Sequence, residues 1–119
     1  MYDIKVNERA GLVEVTLSGM MPIEEVGAYI RDLKSAFVRH RLQNYALIID
    51  VTDCPIQQQD MLKAMGEHMM AMPKARAIAV VTGSSLARMQ VRRLFTQPYA
   101  RVVATVQQAR GWVLSGIEP

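Results

Sequence analysis

The sequence predicts an α/β fold: a single domain over residues 1–119, with a mixed sheet of about five strands packed against four helices in the order β-β-α-β-α-β-α-β-α. Continuous apolar runs of strand length at 46–51 (ALIIDV) and 77–81 (AIAVV) alternate with segments whose apolar residues recur every three or four positions. That pattern belongs to parallel strands covered on both faces and joined by helices. Ahead of them stand two stretches of apolar–polar alternation split by a glycine turn, an antiparallel hairpin at one edge of the sheet. With 119 residues, 50% of them hydrophobic and 21% charged, the chain supports one such core, since single cores organise roughly 100–150 residues.

Each element has a local reason. Tyr2, Ile4 and Val6 alternate with Asp3, Lys5 and Asn7, as in a strand with one wet face. After the turn at 8–11, Val13, Val15 and Leu17 alternate with Glu14, Thr16 and Ser18, and Gly19 closes the hairpin. Pro22 suits the start of a helix, Glu24 and Glu25 its positive end, and Arg39, His40 and Arg41 its negative end. Ile23, Val26, Ile30, Leu33 and Phe37 form the apolar stripe between them. The run 46–51 is an interior strand with Asp50 near its end, and the break at 52–55 precedes a helix with Leu62, Met65, Met69 and Met72 at helical spacing, ended by Pro73. Residues 77–81 are the next buried strand. Thr82-Gly83-Ser84-Ser85 is a turn with capping hydroxyls, and a third helix runs from Leu86 to about Phe95 before Pro98. Residues 100–104 suit a last strand. Thr105 and Gln108 have capping-box spacing ahead of a helix that buries Val106, Ala109 and Val113 or Trp112, leaving 116–119 as a tail.

This order, the edge hairpin and the segment Leu47-Ile48-Ile49-Asp50-Val51-Thr52-Asp53 together resemble a STAS domain, the fold of the bacterial anti-sigma-factor antagonists, and in particular the broader SpoIIAA-like set. The segment is similar to that family's apolar strand ending in aspartate before the second helix, and the resemblance covers nearly the whole chain. It implies a small non-enzymatic regulatory or ligand-sensing module, often one that binds a protein. The likening of some relatives to lipid-carrier domains implies an apolar ligand as an alternative. Phosphorylatable antagonists open the second helix with a serine in an aspartate-serine-serine-glycine style motif. Pro55-Ile56-Gln57-Gln58-Gln59-Asp60 carries no hydroxyl, so no phosphorylation site is carried over.

The net charge of +3 conceals an uneven distribution. Residues 1–59 hold six basic and eight acidic side chains, and the rest hold eight basic and three acidic. No acid lies between His68 and Ile117, so part of the C-terminal half is electropositive and suits an acidic partner. Nucleic acid is not expected, because the charge is modest and no aromatics interleave with the arginines to stack on bases. The single cysteine excludes an internal disulfide and multi-cysteine metal sites, and no apolar run approaches the roughly 20 residues of a transmembrane helix. With no signal-peptide character at the N-terminus, a cytoplasmic protein without metal or cofactor is expected.

Four groups of residues are candidates for a site. Asp50, Thr52, Asp53 and Cys54 cluster where open α/β sheets usually bind ligands, outside the carboxyl ends of strands. They make a polar rim, a metal site or a nucleophile site, or else Thr52 or Asp53 caps the second helix and Cys54 is a small hydrophobe. Ser84 and Ser85, with Thr82 and Gly83, offer backbone N–H groups to an anion or simply cap, without the lysine of a P-loop or the glycines of a dinucleotide fingerprint. Arg88, Arg92 and Arg93 form a basic patch for phosphates or an acidic protein, or a solvated helix face. Met61, Met65, Met69, Met70 and Met72 crowd the second helix, where thioethers line an adaptable surface or fill the core. The leading expectation is a non-catalytic binding module, acting on a protein partner or on itself as a homodimer. The alternatives are a carrier or sensor of a lipid-like apolar molecule, and a small enzyme using Asp50, Asp53 and Cys54, with His68 as a further candidate.

Overall fold

The computed structural model describes residues 1–55 and 59–119, the side chains of residues 59–62 and 69–70 excepted. Five strands form one sheet: β1 (Tyr2–Asn7), β2 (Leu12–Ser18), β3 (Ala46–Asp53), β4 (Ala77–Val81) and β5 (Ala100–Val103). Four helices accompany them: α1 (Ile23–Arg39), α2 (Gln59–Ala71), α3 (Ser85–Leu94) and α4 (Val106–Ser115). The strands lie side by side in chain order, with β1 antiparallel to β2 and all later pairs parallel. The fold is thus the α/β mixed sheet that the periodicities predict. Among the described residues, no helix is long and apolar enough to cross a membrane.

Because the three crossovers all step the same way across the sheet, α1, α2 and α3 share one face. Their core joins Val26, Tyr29 and Leu33 of α1, Met65 of α2 and Val91 of α3 to the alternate strand residues Val15, Leu47, Ile49 and Val80. The other face carries α4 alone. Ala46, Ala77 and Ala79 present almost no side chain there, so Ala109 and Val113 settle closely over β3 to β5. Two helix predictions shift in detail. Ile23 stays 43% exposed at the start of α1, whereas Tyr29 and Ala36 join the buried stripe, because the sheet's twist rotates which arc of a long helix meets it. Thr52 and Asp53 both belong to β3, α2 is described from Gln59 onward, and no cap from either residue to α2 is seen among the described residues.

The caps read from sequence do form. Thr105 Oγ1 accepts the Gln108 N–H at 3.1 Å, while Gln108 Oε1 accepts the Ala104 N–H at 3.0 Å, one residue ahead of the usual capping-box donor. Gly116 ends α4 in the left-handed conformation (φ 67°), with its N–H on the Trp112 carbonyl and the Ile117 N–H on that of Gly111. The segment after it is fastened down, because Glu118 makes a two-point ion pair with Arg101, whose guanidinium also lies 4.2 Å from the Trp112 ring centre. Arg76, at the same end of the sheet, ties two loops together, donating to the Asn44 and Ala10 carbonyls at 2.8 Å each.

Candidate functional site

Over the face of the sheet that α1 to α3 cover, between α2 and α3, lies a partly open apolar cleft of about 60 Å³. Leu17, Ile49 and Val80 form its floor, with Met65 of α2 and Ala87 and Val91 of α3 as walls. Cys54 and Pro55 follow from the end of β3. The α3 side was not anticipated as lining, although the spacing of Ala87, Val91 and Leu94 already marks one apolar stripe. The cleft does not sit at a reversal of strand order, since the order runs straight from β1 to β5 and leaves no such crevice.

Strand alternation, and the turn of the chain after β3 ends at Asp53, divide the predicted cluster. Ile49 and Val51 face the core of α1 to α3, whereas Ile48 belongs to the α4 side, and Asp50 and Thr52 share its parity. Cys54, by contrast, packs with the α1–α3 core and lines the cleft. The four residues are neighbours in sequence but serve opposite faces of the sheet. Asp50 is used locally: its Oδ1 accepts the Thr52 N–H at 2.9 Å and the Thr52 hydroxyl, a turn-stabilising motif. Asp53 is exposed, and its carbonyl accepts the Gly19 N–H at 3.1 Å. The half-buried Cys54 thiol donates to the Gly19 carbonyl at 3.5 Å. Burial pushes that thiol's pKa up, the direction opposite to an activated nucleophile, with the nearby amino terminus acting the other way.

The turn before α3 is occupied by its own caps. Ser84 Oγ accepts the Ala87 N–H at 3.3 Å, and the Ser84 N–H itself goes to the buried Thr82 hydroxyl at 3.3 Å. Ser85 is the exposed first residue of the helix. Arg88 is half-buried, and Arg92 and Arg93 are exposed along α3. Met65 is buried and Met72 packs on the core; Met61, Met69 and Met70 fall among the side chains outside the described residues.

His68 does not face the cleft. It is 4% exposed at the junction of α1 and α2, where its ring meets the Tyr29 ring edge-on at 5.9 Å between centres. Both His68 ring nitrogens and the Tyr29 hydroxyl are buried without a hydrogen-bond partner among the described residues. Desolvation first, then the Lys34 charge, lowers the His68 pKa to about 4, so the ring is neutral at pH 7. Among the described residues, no three of His, Cys, Asp or Glu converge where they could hold a metal ion. Comparison with protein-family models, with curated proteins and with solved structures finds no match in any of the three.

Proposed function

We propose that the chain is a non-catalytic binding module of the STAS, SpoIIAA-like type, and that the cleft between α2 and α3 is a socket for an apolar side chain of a protein partner. The size of the cleft carries this reading. About 60 Å³ is well under half of the roughly 150 Å³ cavity that takes up a benzene molecule, so it suits one inserted side chain at the centre of an interface better than a whole ligand. Asp50, Asp53 and Cys54 speak against the enzyme reading: Asp50 is committed to Thr52 on one face, and the Cys54 thiol is held protonated on the other. The apolar lining favours a second reading, a carrier or sensor of a lipid-like molecule, in which α2 and α3 move apart to admit it.

Native mass spectrometry of the untreated protein separates these readings. The socket reading expects the bare chain, and a dimer would make the partner a second copy. Retained small-molecule mass would overturn it in favour of the carrier. A Cys54 that outpaces a free thiol toward a thiol reagent at pH 7 would overturn the non-catalytic assignment.

A further inference from the structure

We propose that the outer face of α3 is a docking surface for an acidic, amphipathic segment of a partner protein. The proposal rests on the binding-module reading and names the chemistry of the partner. It starts from how the fold disposes of the cations in the acid-free stretch between His68 and Ile117. Arg76 is spent on two backbone carbonyls, Arg101 on Glu118, Arg110 on Glu14, and Lys74 lies over the Tyr99 ring. The three arginines of α3 have no carboxylate partner among the described residues.

These arginines share their face with apolar groups. Leu86, Met89 and Arg93 fall at i, i+3 and i+7 on the arc opposite the buried Ala87 and Val91, with Arg88 and Arg92 along its flank. Leu86 is 59% and Met89 56% exposed. An ordinary solvated face mixes both signs of charge, as the outer side of α1 does with Glu24, Arg31, Asp32 and Lys34. The α3 face holds arginine, leucine and methionine with no acid and no lysine. Arginine and methionine are enriched at protein interfaces, where lysine and glutamate are depleted.

The charge selects the occupant. A second copy of this chain offers no concentrated acidic segment among the described residues, because Glu8, Glu14, Glu25, Asp32, Asp50 and Glu118 are engaged within the fold and the exposed Asp3, Glu24, Asp53 and Glu67 lie one each on β1, α1, β3 and α2. An anionic membrane is disfavoured too, since polybasic lipid-binding segments carry about four to eight cations and this face has three. An acidic helix or extended segment with apolar residues between its carboxylates meets both components of the face.

The test is selection from a displayed random-peptide library on the immobilised full-length chain, followed by titration of the best labelled peptide. The expected peptides are enriched in Asp and Glu with Leu, Met or Phe at helical spacing. Their affinity falls at least about tenfold for Arg92→Gln/Arg93→Gln and for Leu86→Ala/Met89→Ala, and is unchanged for the distant control Lys5→Gln. Unaltered far-UV circular dichroism verifies that each variant is folded. The proposal is overturned if no peptide is selected, if those selected lack acidic enrichment, or if they are indifferent to the α3 changes. Arginine-dependent binding to vesicles containing phosphatidylserine, stronger than to any peptide, reassigns the face to a membrane. Native mass spectrometry of the unmodified chain reads the binding-module assignment separately, so either can fail alone.

Discussion

Replacing His68 with leucine should make the protein more stable and remove part of its sensitivity to acid. At pH 7 the buried, neutral imidazole leaves both nitrogens without partners among the described residues. An unsatisfied buried polar group costs about 1–3 kcal/mol. Leucine of similar volume removes that penalty and forfeits the edge contact with Tyr29, worth about 0.5–1.5 kcal/mol. The net expectation is a gain of about 1–2 kcal/mol at pH 7.5, seen as a higher urea midpoint at unchanged slope. The pH dependence has a definite sign. A pKa of about 4 in the folded chain against 6.5 when unfolded means that the unfolded state binds the extra proton between those values. Stability is therefore full above pH 6.5 and is lost as pH falls toward 4, by about 3 kcal/mol in all and about 2 kcal/mol by pH 5. Carboxylates titrate in the same window, so the decisive quantity is the difference between His68→Leu and the parent at pH 7.5, 6 and 5. That difference should widen steadily on acidification. Parallel pH profiles, or a variant weaker than the parent at pH 7.5, would refute the reasoning.

Other outcomes follow from single contacts. Gly11 sits at φ 62°, where a Cβ would come within 3.1 Å of Arg76 Nη1 and 3.3 Å of the Asn44 carbonyl, so Gly11→Ala should destabilise by about 1–2 kcal/mol in thermal unfolding. Ser84→Ala and Thr105→Ala each remove an N-cap acceptor and should each lower stability by about 1 kcal/mol, additively because the two caps share no partner. Cys54 alkylation should accelerate only above the ordinary thiol range, with a titration midpoint above that of a free cysteine measured alongside.

The strand and helix order, the edge hairpin and the caps at Ser84 and Thr105 were legible in the sequence, because all of them arise from contacts within a few residues. Periodicity also separated the doubly covered strands β3 and β4 from the half-wet β1. The candidate site was legible only in part. Residues 50–54 are adjacent in sequence, which suggested one cluster, yet Asp50 has the parity of the α4 face, while Cys54, of the same parity, lies past the end of β3, where the chain turns it onto the α1–α3 side. Only tertiary structure decided which face of the sheet meets α1 to α3 and which way the chain turns after β3, and therefore that the cysteine, not the aspartate, lines the cleft. The pairing of His68 with Tyr29, of Arg101 with Glu118 and of Arg76 with two distant loops likewise left no local trace. The physical reason is that short-range propensity and hydrophobic period specify which element forms and which arc of it is apolar. The partner across the interface depends on the crossover direction and on the packing of residues far apart in the chain.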